Sequence, residues 1–480
     1  MLAIETGPYW LTRFCFQRFL GFIYFIAFLV TLNQFRPLIG EHGLVPARLY
    51  LHRVKFWDAP GLFWINDSDR FLALTAWLGL CLSILAATGL GDSFGMFLSV
   101  TVWFLLWLIY LSFVNVGQVF YGFGWETLLL ETGFLAIFLG SSNTSPPTVI
   151  IWLLRWLLFR VMFGAGLIKL RGDACWRNLT CMFYHYETQP LPNPLSWYFH
   201  YLPPSVHKAS VLFTHFVELI VPWGVFAPRF ICYAAGIFTV AFQLLLILSG
   251  NLSWLNYLTL LLCIPCFDDA FLSRLIPIHP STMGPVSEIR QAVLLMLAVL
   301  ILVLSVKPAL NLISRRQFMN ASFEPLHLVN TYGAFGTVTK ERNEIILEGT
   351  HDLVITSATE WREYEFKAKP GRVNRIPPFV APYHYRLDWL MWFAAMSDYR
   401  YHPWIIDLIQ KLLEGDRDVL RLLGNNPFPS APPHYIRASL YYYHFNRPET
   451  RKKTGEWWAR TRLWDYLPPL SLDRLASQNK

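Results

Sequence analysis

Apolar segments of about 16–22 residues recur nine times before residue 310 and then stop. A helix of about 20 apolar residues crosses the hydrocarbon layer of a bilayer, so the pattern predicts a polytopic α-helical membrane protein. Leu252–Cys266 is short and Pro222 interrupts Val211–Phe226, so each of these two is also consistent with a re-entrant segment. The nine predicted segments are Phe14–Leu32, Phe71–Leu90, Met96–Val114, Val119–Leu139, Val149–Leu170, Val211–Phe226, Phe230–Leu248, Leu252–Cys266 and Ala292–Leu310.

The chain from residue 311 to residue 480 changes to a polar and aromatic pattern. We therefore expect a membrane region over 1–310 and one extramembrane domain over 311–480, of mixed α+β or β-sandwich-like fold. Alternation predicts short strands at Ala334–Lys340, Glu344–Leu347, Glu363–Lys369 and Ile436–Phe445. Helical spacing predicts helices at Leu387–Met396 and Pro403–Leu423, with Gly424 as a C-cap candidate.

Two loops within the membrane region, 33–70 and 171–208, are long, and loops of this length are usually functional or disordered. The aromatic residues of the second loop argue against disorder there. The second loop contains Cys175 and Cys181, which are close enough in sequence to bridge a short turn if this side is oxidising. The alternative is a pair of free thiols. The tripeptides that begin at Asn178 and Asn320 are potential glycan acceptors.

The glycan acceptors and the basic residues disagree about orientation. An even number of predicted crossings separates Asn178 from Asn320, so both can face the compartment of the C-terminal domain, which would be lumenal. The long loops, however, hold most of the Lys and Arg residues, which the positive-inside rule assigns to the cytoplasm. Long loops contribute little to that rule, so we favour the lumenal assignment.

The composition fits a membrane protein, with 54% hydrophobic residues and a net charge of +8. No basic stripe lies on a predicted soluble helix, so we do not expect nucleic-acid binding. Seven cysteines are too few for a disulfide framework. The first apolar segment is too long for a signal-peptide core and is interpreted as a signal anchor.

Charged residues at membrane depth are the clearest candidates for special chemistry. Glu126 and Glu131 lie in one apolar segment, and Arg155 and Arg160 lie in the next with the same spacing. Such charges are costly in lipid unless they are paired or solvated. A proton or ion path is one interpretation, but we favour structural ion pairs between neighbouring helices because each acid has a basic candidate partner.

Other chemical motifs are weak. His215 and Glu218 share a helix face, which suits half of a metal site, but interhelical hydrogen bonding is the simpler interpretation. Cys263 and Cys266 have redox spacing, yet they end an apolar run beside acids that would raise a thiol pKa. We find no GxSxG, P-loop, GxGxxG or HExxH motif, and we predict no catalytic residue, no cofactor and no metal ligand.

Seven stretches, in this order along the chain, closely resemble the lipase maturation factor family. The resemblance covers the chain from about residue 8 to its C-terminus. The stretches are Tyr9–Arg13, Phe123–Glu126, Gly164–Lys169 followed by Arg171–Asp173, His185–Pro190 with Pro192–Pro194, Ser249–Ser253, Asn330–Gly336 and Pro382–Ala394.

The resemblance implies an endoplasmic-reticulum membrane protein with a lumenal C-terminal domain and fewer crossings than nine. It implies a chaperone-like role in the folding and homodimer assembly of secreted lipases, such as lipoprotein lipase and hepatic lipase, and not an enzyme. A client surface needs exposed aromatic groups on a rigid frame. The candidates are Trp176, Tyr184, His185, Tyr186, Trp197, Trp389 and Trp392, with burial in the core or at the membrane interface as the alternative for most of them.

Two other functions remain to be compared with this one. A membrane-embedded enzyme similar to carboxylase-like proteins would use Lys169, His185 or His215 as its base, but no nucleophile, base and orienting group follow from motif spacing. A transporter would explain the buried charges, but the chain shows no internal repeat.

Overall fold

The computed structural model describes residues 9–278 and 287–478. Helices dominate the chain up to residue 313. In chain order they are α1 (Trp10–Ile39), α2 (Ala47–Leu51), α3 (Asp69–Thr88), α4 (Leu90–Ser93), α5 (Met96–Val116), α6 (Gly124–Ala136), α7 (Thr148–Arg171), α8 (Ala174–Arg177), α9 (Met182–Thr188), α10 (Ser196–His200), α11 (Pro204–His215), α12 (Arg229–Ser249), α13 (Leu255–Cys263), α14 (Asp269–Leu272), α15 (Glu288–Leu304) and α16 (Val306–Ile313), with 3-10 turns at Leu62–Trp64, Gln118–Tyr121, Val221–Phe226 and Ile264–Cys266.

Seven helices among the described residues are long and apolar enough to cross a membrane, which confirms a polytopic helical protein. The predicted segments Val119–Leu139 and Leu252–Cys266 correspond to shorter helices, α6 and α13 with its 3-10 turn. The seven are Trp10–Ile39, Asp69–Thr88, Met96–Val116, Thr148–Arg171, Pro204–Phe226, Arg229–Ser249 and Glu288–Ile313.

Hydrogen bonds between connections show which helix ends lie together. One end of the bundle, here the turn face, gathers short connections: Trp10 N donates to Asp269 (2.9 Å), Arg13 to Ser142 O (3.0 Å), and Arg290 to Leu139 O (3.4 Å). The other end, here the loop face, gathers the two long loops and the C-terminal part: Gln34 donates to His384 O (2.7 Å), Asn115 to Pro325 O (3.1 Å), Arg171 to Gln317 (2.8 Å), and Asn251 to Pro378 O (2.9 Å).

These contacts make successive segments run in alternate directions between the two faces, and α6 and α13 follow the same alternation. Trp254 Nε1, at the start of α13, donates to Trp125 O, at the start of α6, over 3.1 Å. Both short helices therefore start at the loop face. Four segments lie between Arg171 and Gln317, and both of these residues lie at the loop face.

Local signals explain several helix ends. Ser68 caps α3 by accepting from Phe71 N, and α3 ends at Gly89, whose φ of +79° is in the left-handed region that favours glycine. The start of α1 is capped from outside, because the Asp269 carboxylate accepts from the backbone N–H groups of Trp10 and Leu11. Beyond α11, Pro222 lacks an N–H group, and the helix passes through a π-helical stretch (Phe216–Ile220) into the 3-10 turn.

The C-terminal part is a mixed α+β unit built on a four-stranded antiparallel sheet of order β2-β1-β5-β6. Strands β3 and β4 form a separate pair. The elements are β1 (Arg342–Thr350), β2 (Arg362–Glu363), β3 (Glu365–Phe366), α17 (Arg386–Ala394), a 3-10 turn (Tyr399–Tyr401), α18 (Trp404–Leu413), α19 (Arg417–Leu420), β4 (Leu423–Asn425), β5 (Tyr435–Phe445), α20 (Pro448–Thr454), β6 (Trp458–Leu470) and α21 (Leu472–Gln478).

The unit confirms the mixed α+β expectation, because a four-stranded sheet and a two-stranded pair are combined with helices, and not its β-sandwich-like alternative. Two other expectations are wrong. Residues 334–340 alternate in polarity but form no strand, because no strand among the described residues pairs with them. The helix predicted over 403–423 divides at Gly415 (φ +67°), and Gly424 lies in β4 rather than capping a helix.

The core of the C-terminal unit is continuous with the core of the helix bundle. One cluster of buried side chains runs from Trp10 in α1 to Leu475 in α21. Trp389, in α17, packs against Phe123 and Trp125 at the start of α6, with ring centroids 5.9 and 4.8 Å apart. The division at residues 310 and 311 stays a prediction.

The alternation of segments predicts the accessibility of single cysteines in sealed vesicles. On a Cys81→Ser background, His42→Cys in the first long loop and Leu353→Cys in the C-terminal unit should react alike with a membrane-impermeant maleimide. Asn143→Cys at the turn face should react in the opposite way. Different labelling of the first two variants would contradict the common loop face.

Candidate functional site

The loop face is where the membrane helices meet the C-terminal part. One buried ionic network at this junction joins α6 and α7. Glu131 and Arg160 form an ion pair with almost no exposed surface. Arg160 also donates to Asn330 O (2.7 Å), while Glu131 accepts from Asn330 N (3.0 Å) and from the Tyr332 hydroxyl (2.8 Å). The structure thus places Glu131 beside Arg160 and adds partners from the segment that follows α16.

A second buried pair joins α6 to α17. Arg386 Nη1 lies 2.6 Å from Glu126 Oε1, and both side chains are fully buried. Glu126 also accepts from the Tyr110 hydroxyl, and the guanidinium of Arg386 stacks over the Tyr121 ring, with its carbon 3.5 Å from the centroid. Arg386 further donates to Phe120 O (2.7 Å).

Arg155 does not take part in either pair. Its Nε donates to Pro265 O (2.9 Å), its guanidinium contacts the Tyr9 hydroxyl (3.3 Å), and it forms no ion pair with an acid among residues 9–278 and 287–478. The expected partnership of Glu126 with an arginine of α7 is therefore replaced by one with Arg386. The reason is depth: Arg155 lies near the turn face, whereas Glu126 lies in the first turn of α6 at the loop face.

His384 fills the space beside the Arg386 pair. Its ring is enclosed edge-to-face by Phe123, Trp125 and Trp254, with centroids 5.0, 5.1 and 6.0 Å away. Neither ring nitrogen has a hydrogen-bond partner in the part of the chain that the structure describes. Burial, helped by the neighbouring Arg386 charge, lowers the pKa of His384 well below its usual value, so the ring is neutral and acts as an aromatic wedge.

The second long loop folds over the end of α7 as a compact lid. The sulfur atoms of Cys175 and Cys181 lie at bonding distance, with their Cα atoms 4.8 Å apart. Trp176 between them is buried and donates to Phe335 O (2.8 Å). Asn178 is exposed on this lid, while exposed Asn320 uses its side-chain oxygen to accept from Gly333 N (3.3 Å).

Lys169 and Glu218 form a third buried pair below this lid. The ammonium lies 2.6 and 2.7 Å from the two carboxylate oxygens. His215 bonds Trp176 O (3.1 Å) instead of pairing with Glu218 as a metal half-site. Burial, together with the Lys169 charge, lowers the pKa of His185 to about 4, so this side chain is neutral near pH 7.

The expected client surface is corrected by burial. Trp176, His185, Tyr186, Trp197 and Trp389 are all buried, and Trp392 is half-buried with its N–H bonded to Thr188 O (2.9 Å). The physical reason is that these large aromatic groups join the lid and α17 to the bundle. The large side chains that the C-terminal unit does expose are others, and they include Leu353 (72% exposed) and Val354 (73%) in the β1–β2 connection.

A polar cluster that sequence reasoning missed fastens the lid to β1. Arg342 is fully buried, pairs with Glu344 and donates to the backbone oxygens of Glu187 and Pro190, each over 2.9 Å. Lys369 completes the cluster, 2.8 Å from Glu344. Arg342 and Glu344 are two residues apart in β1 and Lys369 is distant in sequence, so the three form no recognisable motif. Only the burial of charged residues in a strand identifies this cluster.

The remaining chemical candidates do not assemble into a reactive centre. Cys263 and Cys266 are buried and unpaired, and the Cys263 thiol donates to Thr259 O (3.2 Å) in its own helix. Across the described ranges, 9–278 and 287–478, no group of three or more His, Cys, Asp or Glu residues is arranged to hold a metal ion.

Comparison with known proteins supplies the remaining evidence. Residues 11–274 match the model of the lipase maturation factor transmembrane domain, and residues 328–468 match that of the lipase maturation factor C-terminal domain. Lipase maturation factor 1 of Mus musculus is 45% identical, over 98% of this chain and 89% of its own. The Homo sapiens protein of that name is 44% identical over 98% and 90%, and lipase maturation factor 2 of Xenopus laevis is 31% identical over 97% and 83%. No solved structure matches the chain.

The buried pairs Arg386–Glu126 and Arg160–Glu131 predict how single and double neutralisation change the free energy of unfolding. Arg386→Gln should lower the free energy of unfolding by about 3–5 kcal/mol, because it leaves the Glu126 carboxylate buried without its counter-charge. Adding Glu126→Gln should restore part of the loss, and Glu131 with Arg160 should behave in the same way. Arg155→Gln is the matched control with a smaller loss, since it orphans no acid. Denaturation in detergent measures each value, and equal losses in single and double variants would contradict the pairing.

The geometry of the lid predicts a disulfide bond between Cys175 and Cys181. Replacing both by Ser should lower lid stability by about 2 kcal/mol, as expected for a short closed loop, and should leave membrane insertion intact. Alkylation of the unfolded, unreduced protein should modify Cys15 and Cys81 but neither lid cysteine. Modification of Cys175 and Cys181 under these conditions would refute the bond.

Proposed function

Since this chain belongs to the lipase maturation factor family, we propose that it supports the folding and homodimer assembly of secreted lipases of the lipoprotein lipase and hepatic lipase type. The observation that carries the proposal is the 44–45% identity to proteins named lipase maturation factor 1, which extends over 98% of this chain. Family membership therefore covers both the membrane helices and the C-terminal unit.

We further propose that the protein lies in the endoplasmic-reticulum membrane with its loop face in the lumen. The exposed Asn178 acceptor and the paired lid cysteines support this orientation, because glycosylation and disulfide formation both need the lumenal side. The C-terminal unit lies on the same face, where it would meet newly made secreted clients.

The role is that of a folding factor and not of an enzyme. A catalytic base needs a free lone pair, but the Lys169 ammonium is tied to both oxygens of Glu218. The other candidate bases serve structure: His215 holds Trp176, and His185 packs against the Phe335 ring with centroids 4.9 Å apart. Both buried acids of α6 are neutralised by an arginine, Glu131 by Arg160 and Glu126 by Arg386, which also argues against a transport path.

A client surface is better sought on the exposed part of the C-terminal unit. Leu353 and Val354 stand out from the sheet in the β1–β2 connection and have no role in joining the unit to the bundle. Exposed apolar groups on a rigid support suit contact with a partly folded client, whose own apolar groups are not yet covered.

Rescue of lipase secretion tests the function. Expressed in cells that lack lipase maturation factors, the full chain should restore the secretion and the specific activity of co-expressed lipoprotein lipase. Deletion from Tyr435 removes β5 and β6, two strands of the four-stranded sheet, and should abolish rescue although the helices still insert. Intact rescue by the truncated chain would make the tail dispensable.

A finer pair of variants tests the client surface. Leu353→Ser with Val354→Ser should reduce rescue without changing the amount of protein, because both side chains are exposed. Tyr401→Ser, at an exposed aromatic residue elsewhere in the same unit, is the control and should rescue fully. Equal rescue by the two variants would move the client site to another part of the loop face.

A further inference from the structure

An open groove of about 650 Å³ lies where α1 ends and α3 begins, at the loop face. Its upper wall is polar and is formed by Arg36, Glu41, Asp69 and Arg70, whereas its lower wall is apolar and includes Leu74. Neither the ionic junction with the C-terminal part nor the lid reaches this groove.

The charges of the groove are only partly neutralised. Asp69 lies 3.4 Å from the Arg36 guanidinium and accepts from Glu41 N (2.9 Å), while Glu41 accepts from Asp69 N (3.1 Å). Arg70 is exposed and forms no ion pair with any described residue. The groove therefore presents one free guanidinium, a second shared with Asp69, and the exposed carboxylate of Glu41.

Below these charges an apolar stripe continues along α3. Leu74 is 67% exposed, and Trp77 and Leu78 are exposed one turn further on. Arg70, Leu74, Trp77 and Leu78 are spaced three and four residues apart and share one helix face. Because α3 is long and apolar enough to cross a membrane, this face would meet acyl chains in a bilayer, with Arg70 at the level of the headgroups.

The loop before α3 gives a second, independent indication of how deep the groove lies in the membrane. Trp57 and Ile65 are each 79% exposed, with Trp64 beside them. The backbone of this loop is held at the end of α5, where Leu62 N donates to Ser112 Oγ (2.9 Å). Tryptophan is enriched where membrane meets water, so these side chains place the groove at that boundary.

We propose that the groove binds one zwitterionic glycerophospholipid of the loop-face leaflet. Arg70 and Arg36 hold the phosphate, Glu41 meets the amine of the headgroup, and one acyl chain lies along Leu74, Trp77 and Leu78. Guanidinium groups bind phosphate through charge-assisted, bidentate hydrogen bonds, which gives the headgroup a defined position. This site is independent of the proposed role in lipase maturation.

Native mass spectrometry of the full-length chain in detergent tests the site, with phosphatidylethanolamine of defined chains as the probe. One lipid should remain bound to the wild-type protein, and Arg70→Glu should weaken its retention about tenfold. Arg70→Gln should weaken it less. Arg400→Glu, a charge reversal at an exposed arginine of the C-terminal unit, is the matched control and should retain the lipid.

Two further probes separate headgroup from chains. Diacylglycerol with the same chains should bind weakly, and phosphatidylglycerol should bind less well than phosphatidylethanolamine until Glu41→Gln removes the difference. If Arg70→Glu and the wild type retained the lipid equally, the bound lipid would be ordinary boundary lipid that is not held by the groove, and the proposal would be overturned. Equal binding of diacylglycerol, or no preference for phosphatidylethanolamine, would also overturn it.

Discussion

The buried ion pair between Arg386 and Glu126 is the interaction on which the rest of this structure depends. It joins the first turn of α17 to the first turn of α6, and both side chains are shielded from solvent. Removing one partner of such a pair costs about 3–5 kcal/mol, because the other charge stays buried. The α17 helix must therefore enter the bundle, and the aromatic groups around His384 close over the junction.

Two further buried polar clusters also connect the C-terminal part to the membrane region. Asn330 and Tyr332 complete the Glu131–Arg160 pair, and Arg342 holds the backbone of the lid. Each of these clusters receives part of its hydrogen bonds across the junction between the membrane region and the C-terminal part. We infer that the membrane helices and the C-terminal part fold as one cooperative unit, which suits the proposed folding role because that role needs a fixed surface beside the membrane.

The sequence predicted the elements whose causes are local. Apolar length located the spanning helices, and the alternation of Ile436–Phe445 predicted β5. In the structure β1 and β6 pair with this strand on its two sides. An ion pair between an acid of α6 and an arginine of α7 was predicted because neighbouring helices carry these charges at membrane depth, but the partners, Glu131 and Arg160, are known only from the structure. Arg386 was not matched to Glu126, since 260 residues separate them and α17 was expected outside the bundle. The aromatic loop residues were ambiguous, because a tryptophan can anchor a lid or contact a client, and only packing distinguishes these roles.

Hydrogen exchange in the full-length protein tests the cooperative unit most directly. Amide exchange should be compared between the wild type and Arg386→Gln under native conditions, for α6 (124–136) and for β5 (435–445). Because the junction couples them, we expect protection to fall in both regions together. Loss of protection confined to residues 386–394, with α6 and β5 unchanged, would contradict the account.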